Sequence, residues 1–353
     1  MLFRSAGNSD AIASRLLANN AGLVLAIRPG AEIVNPSGDL TLSETWDLST
    51  YRFGPQNQPG LLTLRAAGNI NFDYNSSLGQ FASLSDGFDG AAYDSQLLPA
   101  GSESWSYRLI AGGSVLLGRN AQAKGPIPNS NQSAPNIIPN YFQVIRTGTG
   151  DIDISAGRDV QFLSPLAAIY TAGTQADALP DFDLPDLNYP TGTVLGGLQY
   201  DSPYPAQYSY RGGDVSIAAQ RDIVRYQVSS TGVLTLDSSR EMPSNWLYRR
   251  GAIDPATGEF GVTRNYNADG DPIAEVASTT WWIDFSRFFQ GVGTLGGGQI
   301  ALSAGRDVSN VDAVAPTNGR MAKGTPRQES LVELGGGDVS VTAGRDKIGR
   351  AHV

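Results

Sequence analysis

The sequence predicts an all-β chain wound as a β-solenoid, in which short strands stack coil upon coil. One observation is a nine-residue frame that recurs along the chain, seen most plainly in Ile152-Asp153-Ile154-Ser155-Ala156-Gly157-Arg158-Asp159-Val160. Another is the glycine content, 42 of 353 residues, with Gly, Pro, Asn and Ser falling at short intervals between apolar pairs. That spacing marks many short strands, not long helices. Alternation puts Ile152 and Ile154 on one strand face, and small Ala156 and Gly157 let the backbone turn a corner before Val160 points inward again. Each coil exposes strand edges above and below, so only stacking on the next coil satisfies it.

Taken in order, the chain opens with an edge segment, 1–20, where Ser9-Asp10 is a candidate N-cap for a short helix over Ala11 to Asn20. A single solenoid is expected over 21–346. Frame copies begin at Leu25, Leu40, Leu62, Tyr107, Ile152, Val215, Ile300 and Val339, with Gln220 in the glycine slot and Asn69 and Ser114 in the Asp slot. All but the first of their spacings lie near multiples of roughly 21 residues, inside the range of solenoid repeats. The residues between copies are therefore expected to be degenerate coils. On that count about 16 coils at about 4.8 Å give a rod near ~80 Å. The Asp of each turn is expected to accept local backbone N–H bonds.

Segments 118–149 and 171–212 hold Pro126, Pro128, Pro135, Pro139, Pro180, Pro185, Pro190, Pro203 and Pro205. Proline cannot donate to a strand ladder, so both read as loop insertions. Segment 240–296 is irregular and aromatic. Trp281, Phe285, Phe288 and Phe289 are spaced to share one face of a short helix near 281–289.

Composition limits the partners. The net charge of −9 with no basic block argues against nucleic acid. No stretch reaches the roughly 18 apolar residues of a transmembrane helix, so none is expected. There is no cysteine, which removes disulfides, zinc thiolates and cysteine nucleophiles. At the C-terminus, Lys347 falls where the frame requires an apolar residue, and Ile348-Gly349-Arg350-Ala351-His352-Val353 matches a translated short-read sequencing adapter. Residues 347–353 are read as such a tail, which holds the sole histidine, His352.

The Ala-Gly-Arg-Asp-Val turns, the segment Trp105 to Gly112, and the run Trp281-Trp282-Ile283-Asp284-Phe285-Ser286-Arg287-Phe288-Phe289 through Gly298 together resemble the filamentous haemagglutinin family of large bacterial exoproteins. The resemblance covers most of 20–346 and lies in the interior of such proteins, so an interior fragment is expected. It implies a right-handed parallel β-helix exported by an outer-membrane two-partner-secretion transporter. It also implies a secreted or cell-surface location on a Gram-negative bacterium and a role as an adhesin or a stalk for a toxin domain, with host-cell or surface glycans or proteins as partners.

Catalysis has few candidates, and the chain is expected not to be an enzyme or to need a cofactor or a metal. Without a native His or Cys, only carboxylate chemistry remains for a carbohydrate-active β-helix, a polysaccharide hydrolase or lyase. Its candidates are Asp151 with Asp153, which share an outer face, or Asp181, Asp183 and Asp186; all read as solvated surface. Asn265 to Asp271 imitates the start of a calcium loop, but Val276 stands where the bidentate acid belongs, so a turn is expected. The glycine runs at 296–298 and 335–337 precede strands, the reverse of a phosphate loop, and read as coil corners. Trp281 and Trp282 form either a covering arm or, alternatively, a glycan platform. The repeated Arg158/Asp159, Arg221/Asp222, Arg306/Asp307 and Arg345/Asp346 pairs, taken as two or more coils apart, read as solvated turn dressing.

Overall fold

The computed structural model describes residues 28–53, 57–87, 97–125, 141–164, 166–177, 207–229, 231–236, 246–250, 262–266, 272–277, 280–283, 291–321 and 331–348. It also describes 2–3, 193–195 and 198–200, and the single residues 11, 14, 15, 18, 285 and 288. These residues are mostly β, arranged chiefly as three parallel sheets that the chain visits in a fixed order.

Sheet A contains Gly30–Asn35, Leu61–Ala66, Ser106–Ala111, Ile152–Ala156, Val215–Ala219, Ile300–Ala304 and Val339–Ala343, each hydrogen-bonded to the next. Sheet B follows with Leu40–Leu42, Ile70–Asn75, Val115–Arg119, Val160–Phe162, Ile223–Arg225, Val308–Ser309 and Lys347–Ile348. Sheet C is built from Trp46–Asp47, Leu84–Ser85, Phe142–Thr147, Leu166–Thr171, Gly291–Thr294 and Ala313–Val314. The chain thus makes six passes through A, B and C and a seventh through A and B.

Register explains the core. Leu62, Tyr107, Ile152, Val215 and Ile300 are successive neighbours across sheet A, as are Leu64, Leu109, Ile154, Ile217 and Leu302. Ile70, Val115, Val160, Ile223 and Val308 form the matching column of sheet B. All of these side chains are buried in one cluster. A one-residue slip would turn every one of them outward, so the alternation excludes odd shifts of register. The outer face of sheet A is open, with Asp153, Ser155, Ser216, Ala218, Ala301 and Ser303 half-buried or exposed.

Sheet C is different, because Phe142–Thr147 and Leu166–Thr171 are buried at every position. A second cluster covers its outer side: Trp246, Ile283, Phe285 and Phe288 pack with Phe142, Val144, Leu166 and Tyr170.

Several expectations change. The copies from Leu62 to Val339 are direct strand neighbours, so no degenerate coils lie between them. The varying spacing comes from insertions, and sheet A holds seven parallel strands in place of about 16 coils. The copies at Leu25 and Leu40 are out of register, since Ala31 is the residue paired with Leu62 and Leu40 lies in sheet B against Ile70. Both satisfied an apolar pattern that the two sheets share.

The helix expected at 281–289 is instead a strand at Thr280–Ile283, antiparallel to Leu247–Arg250 and Thr317–Met321. Its Thr, Trp and Ile residues favour a pleated surface, and cross-strand pairing prevails over helical spacing. Of 118–149, Phe142–Thr147 is a full sheet C strand and Ala121–Lys124 a single helical turn, while 126–140 lie outside the described residues. Of 171–212, Thr174–Gln175 pairs with Ser209–Tyr210, and Thr193–Leu195 with Leu198–Tyr200. At the start, Leu2–Phe3 pairs antiparallel with Ala31 and Glu32, and Ala11, Ser14 and Arg15 are helical. Lys347–Ile348 continues sheet B against Val308–Ser309, and 349–353, with His352, lie outside the described residues. Among the described residues no helix is long and apolar enough to cross a membrane.

Candidate functional site

The corner between sheets A and B is the most regular feature of the chain. Three residues form it in every pass but the first, as in Gly157-Arg158-Asp159 between Ala156 and Val160. A Cβ on Gly157 would lie 2.3 Å from the carbonyl oxygen of Gly112 in the preceding pass, so the close stacking there favours glycine.

The last corner residue caps the following pass. Asp39 Oδ1 accepts the N–H of Asn69 at 2.7 Å, and Asn69 Oδ1 accepts that of Ser114 at 2.8 Å. Ser114 Oγ then takes the N–H of Asp159, Asp159 Oδ1 that of Asp222 at 3.2 Å, Asp222 that of Asp307 at 3.1 Å, and Asp307 that of Asp346. These side chains do not close local turns, as the sequence suggested. Each reaches one pass further, because in-register stacking places the next backbone N–H beside it. The exception is Asp47 of the Leu40 copy, whose Oδ1 accepts the N–H of Ser49 at 2.9 Å in a local turn.

Arginine joins the same ladder. Arg221 lies 3.4 Å from Asp159, Arg306 Nε is 3.1 Å from Asp222 Oδ1, and Arg345 Nε is 3.0 Å from Asp307 Oδ1. The pairs are therefore one pass apart and cross-linked. Solvated dressing describes only the arginines, which are 46, 38 and 58% exposed, against 8, 21 and 19% for their carboxylates. The Arg345 hydrogen bond holds the Asp307 carboxyl below the usual carboxylate range, and the Asn69 backbone does the same for Asp39.

A second ladder stands at the corner entering sheet A. Ser106 Oγ accepts the N–H of Asp151, Asp151 Oδ1 that of Asp214 at 2.9 Å, and Asp214 Oδ1 that of Gln299 at 2.7 Å. The sequence reading missed this one. Its signal is a polar acceptor directly before the first apolar residue of each frame from Tyr107 onward. Asp151, a candidate acid, is thus a cap, and Asp153 lies 3.6 Å from Arg108 of the adjacent pass. Asp181, Asp183 and Asp186 lie outside the described residues. Gly298, in the other corner, has φ +114°, and a Cβ there would approach Gly213 O to 2.4 Å.

One buried ion pair had no local signal, its partners being 34 residues apart. Arg52 Nη2 donates to Asp86 Oδ1 at 3.0 Å, and Asp86 Oδ2 accepts the N–H of Trp105 at 2.7 Å. Burial pushes the Asp86 carboxyl up, with Arg52 opposing the shift.

Trp282 is 7% exposed and packs with Ala176 and Tyr208. Trp281 is half-buried, its Nε1 donating to Thr317 Oγ1 at 3.1 Å, and a Cβ on Gly319 would meet its ring at 2.5 Å. Neither ring lies open as a platform face. Phe285 and Phe288, unlike the two Trp residues, belong to the cluster packed on sheet C. Of the calcium-like segment, Asn265 and Tyr266 lie in strand Val262–Tyr266, antiparallel to Pro272–Ala277, and 267–271 lie outside the described residues. Among the described residues, no group of three or more His, Cys, Asp or Glu is placed to hold a metal ion.

No protein-family model, curated protein or solved structure matches the chain.

Asp159→Ala removes an inter-pass cap and the Arg221 partner together, and urea unfolding is expected to show a loss of about 1–3 kcal/mol. Asp159→Asn keeps an acceptor for Asp222 and should lose clearly less; equal losses would contradict the cap. The lowered carboxyls of Asp307 and Asp39 contribute stability that is present above their unfolded value and lost as pH falls through the lowered folded one. Asp86, raised by burial, has the opposite sign. Melting temperature is therefore expected to drop below about pH 4, and less steeply in Asp307→Asn. Parallel profiles for the variant and the parent would contradict this.

Proposed function

We propose that the three sheets are the sides of a right-handed parallel β-solenoid and that the chain serves as a non-catalytic shaft. The observation that carries this reading is the unbroken register: each pass lays an A strand and a B strand directly on those of the pass before. Stacked strands at about 4.8 Å give seven passes a height of roughly 30 Å. Such a rod gains length by adding passes, while its sides stay free to carry insertions.

The setting we propose is the surface of a Gram-negative bacterium, reached through an outer-membrane two-partner-secretion transporter. The support is the likeness to filamentous haemagglutinin exoproteins in the Ala-Gly-Arg-Asp turns, the Trp105 to Gly112 segment and the Trp281-Trp282 run. A stack held by backbone ladders and carboxylate caps also needs no cysteine, which suits a chain exposed to changing redox conditions. The shaft displays whatever its insertions or neighbouring domains bind, surface glycans and proteins included.

Proteinase added to intact cells that produce the chain is expected to remove it or trim it to a resistant core. A chain left whole until the cells are lysed would contradict the surface assignment.

A further inference from the structure

The outer side of sheet C is covered by the chain's own aromatic cluster, whereas the outer face of sheet A is bare. We propose that this face packs against the same face of a second copy, with the two stacks side by side and parallel. The inference goes beyond the shaft reading and needs only sheet A and the corners at its two borders.

Two outward columns cross the sheet. One holds Thr63, Arg108, Asp153, Ser216 and Ala301, the other Arg65, Ile110, Ser155, Ala218 and Ser303. Ser155, Ser216, Ala218, Ala301 and Ser303 are exposed, small and uncharged, and a shallow groove of about 790 Å³ follows the second column. Side chains this short let two sheets approach to about 10 Å and lose little rotamer freedom on contact. The charges on the face come already paired, Arg65 with Glu32 at 3.0 Å and Arg108 with Asp153 at 3.6 Å, so the contact buries no lone ion there. At about 3.3 Å per residue and about 4.8 Å per strand, the face from Asp151 to Arg158 over the stacked strands covers roughly 700 Å². A stable interface takes about 800 Å² from each partner, so the area suffices.

Charge selects the orientation. Arg158, Arg221 and Arg306 line the border with sheet B, and the last two expose more of their guanidinium groups than of the carboxylates they pair with. Asp151 and Asp214, both exposed, line the opposite border. Among the described residues Arg158 and Asp151 belong to no ion pair. The corner preceding Arg158 offers Ser114 where later ones offer an aspartate, and Asp151 gives its Oδ1 to the N–H of Asp214.

A two-fold axis that turns this face onto itself lies in its plane. An axis along the strands lays arginine on arginine and aspartate on aspartate. An axis along the stack lays each border on the other, pass for pass, so that Arg158 meets Asp151 of the second copy and Arg221 meets its Asp214. Such a contact closes at the dimer.

Sedimentation of the full chain at about 0.1 mM is expected to give twice the chain mass, with no growth beyond it. Ala218→Arg sets a charged side chain at an exposed position beside the axis and should sediment as a monomer with unchanged circular dichroism. Should it lose its β signal, Ser303→Arg repeats the test one pass away. Arg158→Glu turns two attractive contacts into two repulsive ones and is expected to raise the dissociation constant at least about tenfold.

Orientation is read from the single variants S155C and S303C, each treated with a bis-maleimide that spans two packed sheets, about 10 Å apart. Both should give covalent dimers, because in the parallel pair every pass faces its own copy. Cross-linking of only one, or of neither, would overturn the parallel contact. A monomeric parent, growth past the dimer, or a dimer that survives both Ala218→Arg and Ser303→Arg would overturn the proposal as well. None of these results touches the shaft reading, which rests on the register within one chain.

Discussion

Parallel strands from successive passes must keep one register, and everything else in the molecule depends on that constraint. A pass cannot satisfy its own backbone: the N–H of Ile152 reaches Asp214 O, and that of Val160 reaches Asp222 O, each in the following pass. Side chains then extend the dependence, since the corner carboxylates cap amides one pass onward. Hydrophobic burial supplies the drive, but burial alone tolerates slippage. The two polar ladders select one alignment from those that apolar alternation permits.

The same constraint accounts for where variation is allowed. The A–B corner stays at three residues after the first pass because both ladder and ion pair cross it. Long insertions fall at the other two corners, between Arg225 and Gly291 or between Thr171 and Val215. From the insertion between Arg225 and Gly291, Trp246, Phe285 and Phe288 pack on the outer face of sheet C. In the proposed shaft the bare outer face of sheet A and the covered one of sheet C make the sides chemically distinct.

The legible part of the sequence was the part under this constraint. Ile152 to Val160 disclosed strand, corner and next strand in one frame because after the first pass nothing is inserted there. The pass length was illegible, since insertions of unrelated size hide the return to sheet A; spacings near 45 residues suggest two coils and contain one. Gln220 shows that the glycine slot tolerates a side chain, and the neighbours of Gln220 give no account of why. The aromatic run misled through its spacing, because Trp281 answers to strands at 247–250 and 317–321 that no local pattern announces. Arg52 and Asp86 were equally silent, each being an ordinary charged residue until the fold buries them together. The role of the corner Asp was half legible: the residue type announced a backbone acceptor, but only the stacking reveals that its donor lies in another pass.

The central claim is that consecutive frame copies are direct neighbours whatever the length between them, and the absence of cysteine allows a clean cross-linking test. Asp153 and Ser216 are strand partners across sheet A, and Ala301 lies one pass beyond Ser216. In the double variant D153C/S216C, oxidation should form an intramolecular disulfide with unchanged circular dichroism, because adjacent strands fall within disulfide reach at about 5 Å. The pair D153C/A301C, two passes apart at roughly 10 Å, should form none. Failure of the first pair to cross-link, or equal yields from both, would contradict the account.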